Sequence, residues 1–184
     1  MSGLQERQDT FTEKASVNNA EVFSRVYEEN FSKVFRYISY QVNDTDVAED
    51  LTSEVWEKVL NKFESYDSRR AAFSTWVLTI ARNTVTDFFR ENRKKQNMQI
   101  ETIRSLQPEP SPDEAVIKAE EIRILKTYIA GLSRQEQEII SFKFGGELTN
   151  REIAKNLGLS ESNVAVIIFR AVRKLREQFL GAQI

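Results

Sequence analysis

Three stripes of apolar residues, each repeating at helical spacing, organise the first half of the chain. Phe23, Tyr27, Phe31, Val34, Phe35 and Ile38 form the first; Val47, Leu51, Val55, Val59 and Phe63 form the second. Phe73, Trp76, Val77, Ile80, Ala81, Val85, Phe88 and Phe89 form the third. Steps of three and four residues place such side chains on one face of a 3.6-residue helix. Each stripe therefore predicts an amphipathic helix turned towards a shared core, with Trp76 as a core residue. No segment sustains the period-two alternation of a half-buried strand, so the predicted fold class is all-α.

Helix starts are signposted in the second half. Ser133 with Glu136, and Thr149 with Glu152, have the capping-box spacing, in which a hydroxyl and a carboxylate satisfy each other's backbone N–H groups. Ser111-Pro112-Asp113-Glu114 combines an N-cap serine with proline at the first helical position. The three prolines, Pro108, Pro110 and Pro112, fall in one polar stretch, which reads as a linker. The predicted organisation is a flexible arm over 1–17, a helical domain over 18–95, a flexible linker over 96–111 and a second helical domain over 112–184.

Leu148 to Ser160 reads as helix, tight turn and new helix. Thr149 caps the first helix, and Ile153, Ala154 and Leu157 face inward. Gly158 supplies the left-handed turn residue, and Ser160 caps the second helix. This is the helix-turn-helix layout, whose second helix enters the major groove of DNA. On that helix Ser162 and Asn163 can hydrogen-bond base edges, and Val166 and Ile167 can touch thymine methyl groups. Arg170, Arg173 and Lys174 suit phosphates. Between Asn163 and Phe169 there is no basic side chain. Some of Val166, Ile167 and Phe169 must therefore face outward, towards DNA or towards an inhibitor.

Composition narrows the chemistry. The chain has 184 residues, 40% hydrophobic and 29% charged, enough apolar material for two modest cores. No apolar run approaches bilayer length, and Met1 to Ala20 is mostly polar; a cytoplasmic protein with no membrane insertion is expected. Cysteine and histidine are both absent, which removes disulfides, the usual zinc sites and histidine-dependent catalysis. No cofactor and no enzymatic activity are expected. A divalent-metal site on Asp46, Glu49, Asp50, Glu54 and Glu57 would lack the Glu-x-x-His pairing of helical di-metal proteins.

The formal net charge of −2 hides a segregation. Gln41 to Glu57 carries Asp44, Asp46, Glu49, Asp50, Glu54 and Glu57 with no Lys or Arg. Arg82 to Lys95 is predominantly basic, as is Arg170 to Arg176. Acidic and basic surfaces on one chain predict two kinds of partner. On the third predicted helix, Arg82, Asn83, Thr86, Asp87, Arg90 and Arg93 lie opposite the apolar stripe. A polar loop with one aromatic, Tyr66, precedes it and carries Ser68, Arg69 and Arg70. Cations mixed with an aromatic ring and amides suit single-stranded DNA.

Asp46 to Trp56, Phe73 to Asn83, and Leu132 to Arg176, taken in order and spacing, resemble the extracytoplasmic-function sigma factors of bacterial RNA polymerase. The resemblance implies two helical domains joined by a flexible linker, the first melting the minus-ten promoter element and the second reading the minus-thirty-five element. It implies that Glu49, Asp50, Glu54 and Glu57 meet the clamp helices of core RNA polymerase, and that the loop around Ser65 to Arg70 captures a flipped minus-ten base. Asn83, Asp87 and Arg90 would then face promoter DNA at the upstream end of the bubble. An anti-sigma factor is an implied partner. Family members commonly place basic residues where Ala165, Ile167 and Val172 stand here, which leaves the base contacts of the recognition helix open. The alternative is a two-domain helix-turn-helix regulator, which shares the Leu132-Ser133-x-x-Glu136 opening. Its receiver form would need strands alternating with helices in the N-terminal half, and the pattern has none.

Overall fold

The computed structural model describes residues 5–42, 44–98 and 124–181, with side chains over 21–42, 44–94 and 124–181. Every regular element among them is helical. The three predicted stripes become α1 (Gln5–Ser39), α2 (Thr45–Lys62) and α3 (Phe73–Met98), with a single 3-10 turn (Phe63–Ser65) after α2. Asp44 caps α2 by accepting from the Val47 N–H at 3.1 Å. Residues 5–17, expected as a flexible arm, instead continue α1. Nothing in that stretch stops a helix: no glycine or proline occurs between Gln5 and Ser39.

The three helices close around Val34, Ile38, Val55, Val59, Val77, Leu78 and Ala81, all fully buried. Each of the larger side chains contributes about 1.5–3 kcal/mol by leaving water. Phe23, Tyr27, Trp56, Phe63, Phe73, Tyr66 and Trp76 continue the core as a chain of ring contacts, most of them edge-on or tilted. Trp76 is part of this packing, as its spacing predicts.

The second unit comprises α4 (residues 124–130), α5 (Arg134–Ile140), a π-helical turn (Ser141–Gly145), α6 (Asn150–Leu157) and α7 (Glu161–Gly181). Both predicted capping boxes close. Ser133 N–H donates to Glu136 at 3.0 Å and Thr149 N–H to Glu152 at 2.8 Å, with the reciprocal bonds present. Gly158 adopts φ +67, and the Ser160 hydroxyl accepts from the Asn163 N–H at 3.2 Å. The helix-turn-helix therefore forms as the sequence dictates. The predicted cap at Ser111 to Glu114 and the predicted linker over 96–111, apart from residues 96–98 at the end of α3, lie outside the described residues.

The two units share one hydrophobic core. Ile139, Phe142, Leu148, Ile153, Ala154 and Val164 join the cluster built by α1, α2 and α3. A smaller cluster of Ile129, Leu132, Ile140 and Ala171 holds α4, α5 and α7 together.

Candidate nucleic-acid interface

The helical register of α2 decides which of its side chains meet solvent. Ala48, Leu51, Thr52, Val55, Trp56 and Val59 are buried, so Asp46, Glu49, Asp50, Glu54 and Glu57 all project outward as one acidic face. Of these, Glu54 takes an ion pair from Lys58 at 2.6 Å, one turn on. A carboxylate face of this kind repels phosphate and suits a basic protein partner.

The outer side of α3 is of opposite character. Asn83, Asp87 and Arg90 are exposed, with Arg93 and Lys94 further along. Asp87 and Arg90 form a loose pair at 3.5 Å. Arg82 lies one step round the helix and is turned elsewhere: its Nε donates to Glu138 of α5 at 2.7 Å.

In the loop before α3, Ser68, Arg69 and Arg70 are exposed. Asp67 orders the loop through two 2.9 Å hydrogen bonds from Arg69, which hold its carboxyl below the usual carboxylate range. Tyr66 is not a free ring. Its hydroxyl donates to the Ala71 carbonyl at 3.0 Å, and its ring packs on Phe73 and Trp76. Burial, followed by the nearby Asp67 charge, pushes the phenol above its ordinary value.

On α7, Ser162 and Asn163 are exposed in the first turn, and Val164 and Ala171 point into the core. Val166 is 45% and Phe169 68% exposed, while Ile167 is half-buried against the core. The apolar strip that the sequence leaves unassigned is thus split, with Val166, Phe169 and Val172 outward. Arg170 is exposed; Arg173 pairs with Glu177 at 3.5 Å, and Lys174 with Glu136 at 2.7 Å. The hydrogen bond from Lys174 is the main reason that the Glu136 carboxyl titrates below its ordinary value.

The contacts between the two units have no local signature in the chain. The Phe142 ring packs on the Tyr37 ring at 4.6 Å. Glu147 takes ion pairs from Arg36 and from Lys33. Those bonds, Lys33 first, hold its carboxyl below the usual range and secure a backbone at φ 58 that is uncommon outside glycine. Thr75 donates to Glu152 at 3.0 Å and Thr79 to Asn156 at 2.7 Å, joining α3 to α6. Lys155 reaches the Arg70 carbonyl at 3.3 Å, and Arg134 lies 4.0 Å over the Phe89 ring. Among the candidate DNA-facing residues, Arg70 and Arg82 thus touch the second unit, whereas Asn83, Asp87 and Arg90 remain open to solvent. Residues this far apart carry no local signal. Only the paired charges, read with the fold in hand, would reveal them.

Among the described residues no helix is long and apolar enough to cross a membrane, and no group of three or more acidic side chains is placed to hold a metal ion.

Residues 26–95 match the family model for Sigma-70 region 2, and residues 128–177 match that for Sigma-70, region 4. The ECF RNA polymerase sigma factor BldN of Streptomyces coelicolor is 32% identical over 164 residues, covering 89% of this chain and 62% of BldN. The chain thus spans less than two thirds of that relative's length. The ECF RNA polymerase sigma factor SigX of Bacillus subtilis is 27% identical over 164 residues, covering 85% of this chain and 83% of SigX. Among solved structures, the sigma factor RpoE from Bartonella quintana, in complex with the anti-sigma factor NepR, has the same fold. The TM-score is 0.71 at 20% identity, over 85% of this chain and 96% of that one. With region 2 built on α1 to α3 and region 4 on the capped helices that carry the helix-turn-helix, the chain belongs to the sigma-70 family of RNA polymerase sigma factors, in its extracytoplasmic-function branch.

Proposed function

We propose that this sigma factor directs promoter-specific initiation by sorting its partners onto separate helices. Glu49, Asp50, Glu54 and Glu57 of α2 bind the basic clamp helices of core RNA polymerase. Ser68, Arg69 and Arg70, with Tyr66 as the wall behind them, receive an unpaired minus-ten base. Arg82, Asn83, Asp87 and Arg90 face promoter DNA at the upstream edge of the bubble. A domain over 18–95 does this work. A second domain over 112–184 reads the minus-thirty-five element through Ser162, Asn163, Val166 and Ile167, with Arg170, Arg173 and Lys174 on phosphates. The chain supplies recognition and contributes no catalytic step of its own.

The observation that carries this reading is the separation of charge between neighbouring helices. The outward face of α2 is acidic up to Glu57, and the outward side of α3 offers amide and guanidinium groups. Two of the assigned cations are engaged in the closed arrangement: Arg82 with Glu138 and Lys174 with Glu136. Both must exchange a carboxylate for a phosphate when DNA arrives. An inhibitor of the anti-sigma kind, such as the one bound to the Bartonella quintana relative, is the expected further partner. Val166, Phe169 and Val172 offer it apolar area that water now covers.

Run-off transcription with core enzyme and mapped start sites tests the whole reading. The full chain is expected to confer initiation at defined promoters, and initiation that is unchanged by its addition would overturn the assignment. Asp50→Arg tests the acidic face: holoenzyme assembly should weaken while the helical content stays intact.

A further inference from the structure

The charge of α2 reverses near its end. Its exposed acidic positions stop at Glu57, and Lys58 and Lys62 follow one turn apart. These lysines form one wall of a cleft of about 390 Å³, whose other wall is the stretch of α3 bearing Asn83, Thr86, Asp87 and Arg90. Three cations (Lys58, Lys62, Arg90) thus face one carboxylate, Asp87, and Arg90 already lies against it at 3.5 Å.

Lys58 is held in place. Its ammonium donates to Glu54 at 2.6 Å and to Thr84 at 3.1 Å, which leaves one of its three N–H donors for a ligand. Lys62 is exposed. At 1.5 Å per residue it stands about 12 Å along the axis from Glu54, beyond the Debye length of about 8 Å at physiological salt. Glu57 is nearer along the axis, about 7.5 Å, but roughly 140° round the helix. The acidic face therefore does not cancel the attraction of Lys62 for an anion. The open side of the cleft offers cations, an amide and a hydroxyl, the groups that bind phosphate oxygens.

We propose that Lys58 and Lys62 each grip a backbone phosphate, the two adjacent along the promoter strand as it passes over Asn83 and Arg90. The last turn of α2 then belongs to the DNA-facing surface, and α2 serves two partners, the polymerase at its start and promoter DNA at its end. The proposal rests on the promoter-binding reading above. It adds two positioning residues for the minus-ten region on a helix assigned only to polymerase.

The test uses holoenzyme assembled from core polymerase and the full chain, with promoter fragments titrated at several salt concentrations. Each phosphate contact adds about 0.7–0.9 to the slope of log K against log salt. Lys62→Gln is expected to make the slope shallower by that amount, and Lys58→Gln with Lys62→Gln by about twice it. Affinity for core enzyme should not change in the Lys62→Gln variant, and Lys62→Arg should keep the wild-type slope. Methylphosphonate replacement of single phosphates should weaken wild-type binding at one or two positions upstream of the bubble. The same replacements should have no further effect in the double variant. An unchanged slope, or the lack of any methylphosphonate position coupled to the lysines, overturns the proposal. So does inorganic tripolyphosphate binding to the free chain in a lysine-dependent way while the promoter slope stays constant, because the ligand would then be a free polyphosphate. If the wild-type holoenzyme binds no promoter, the underlying reading fails first, and the proposal falls with it.

Discussion

Gly145 lies flat against the backbone of Tyr37: a Cβ placed on it would come within 2.8 Å of the Tyr37 Cα and N, and 3.0 Å of the Arg36 carbonyl carbon. These backbone atoms belong to the last turn of α1, where Tyr37 and Ile38 are locked in the core and cannot give way, so this residue sets how closely region 4 seats on region 2. Gly145→Val is expected to part the two units while each keeps its helices. Small-angle scattering should record a larger radius of gyration, with circular dichroism nearly unchanged. An unaltered radius would show that the seat does not depend on this contact. At Gly146 the nearest atom to an added Cβ is the end of the Leu78 side chain, at 2.6 Å, so Gly146→Ala should open the pair less.

Tyr37 is fully buried; among the described residues its hydroxyl and the Gln41 amide nitrogen both lack a hydrogen bond of ordinary geometry, although the two side chains are close enough to interact. Burial first, and the Glu138 charge second, push its ionisation far above the ordinary phenol value, so it stays neutral. Removing an unsatisfied hydroxyl recovers its desolvation cost of about 1 kcal/mol or more. Tyr37→Phe should therefore match or exceed wild-type stability in urea. A loss of more than about 1 kcal/mol would mean that the hydroxyl does bond in solution.

Glu136 closes a capping box and receives Lys174, and its carboxyl titrates below the ordinary value of 4.5. A carboxylate with a depressed folded-state value stabilises the fold above its unfolded value. That contribution is lost as pH falls through the folded one. Region 4 should therefore lose stability progressively below about pH 4.5. Glu136→Gln should be less stable at pH 7 and show a flatter acid limb in melting temperature against pH. Parallel curves for the two proteins would contradict this.

Gly158 holds φ +67 with no atom within 4 Å of an added Cβ. The cost of Gly158→Ala is thus purely conformational, about 1–2 kcal/mol. Denaturation should show that loss while the helix-turn-helix is retained. A neutral result would mean the turn relaxes to another conformation.

Much of this architecture is readable from the chain, for a physical reason. The stripes of α1, α2 and α3, the boxes at Ser133 and Thr149 and the turn at Gly158 are short-range patterns, fixed by residues within one or two turns of each other. The exposure of Glu49, Asp50, Asn83 and Arg90 follows from the same periodicity. The contacts that seat region 4 do not. Arg36 and Glu147 are 111 positions apart, and Arg82 and Glu138 are 56 apart; each looks like an ordinary surface charge until the helices are packed. Tyr66 marks another limit, because a ring amid charges reads as open to bases, whereas its hydroxyl and both neighbouring rings hold it. At the start of α1 the polarity suggests an arm, whereas helix-forming residues run without a break and continue the helix.

The π-helical turn over Ser141–Gly145 carries a last consequence. Such a turn accommodates one residue more than an α-helix would over the same rise, and here it aims Phe142 at Tyr37 while bringing Gly145 against α1 three residues later. Evolution can exchange side chains within it, but dropping one residue would rotate everything downstream by about 100°. Homologues that seat region 4 in this way should therefore vary in spelling across these five positions and keep their count.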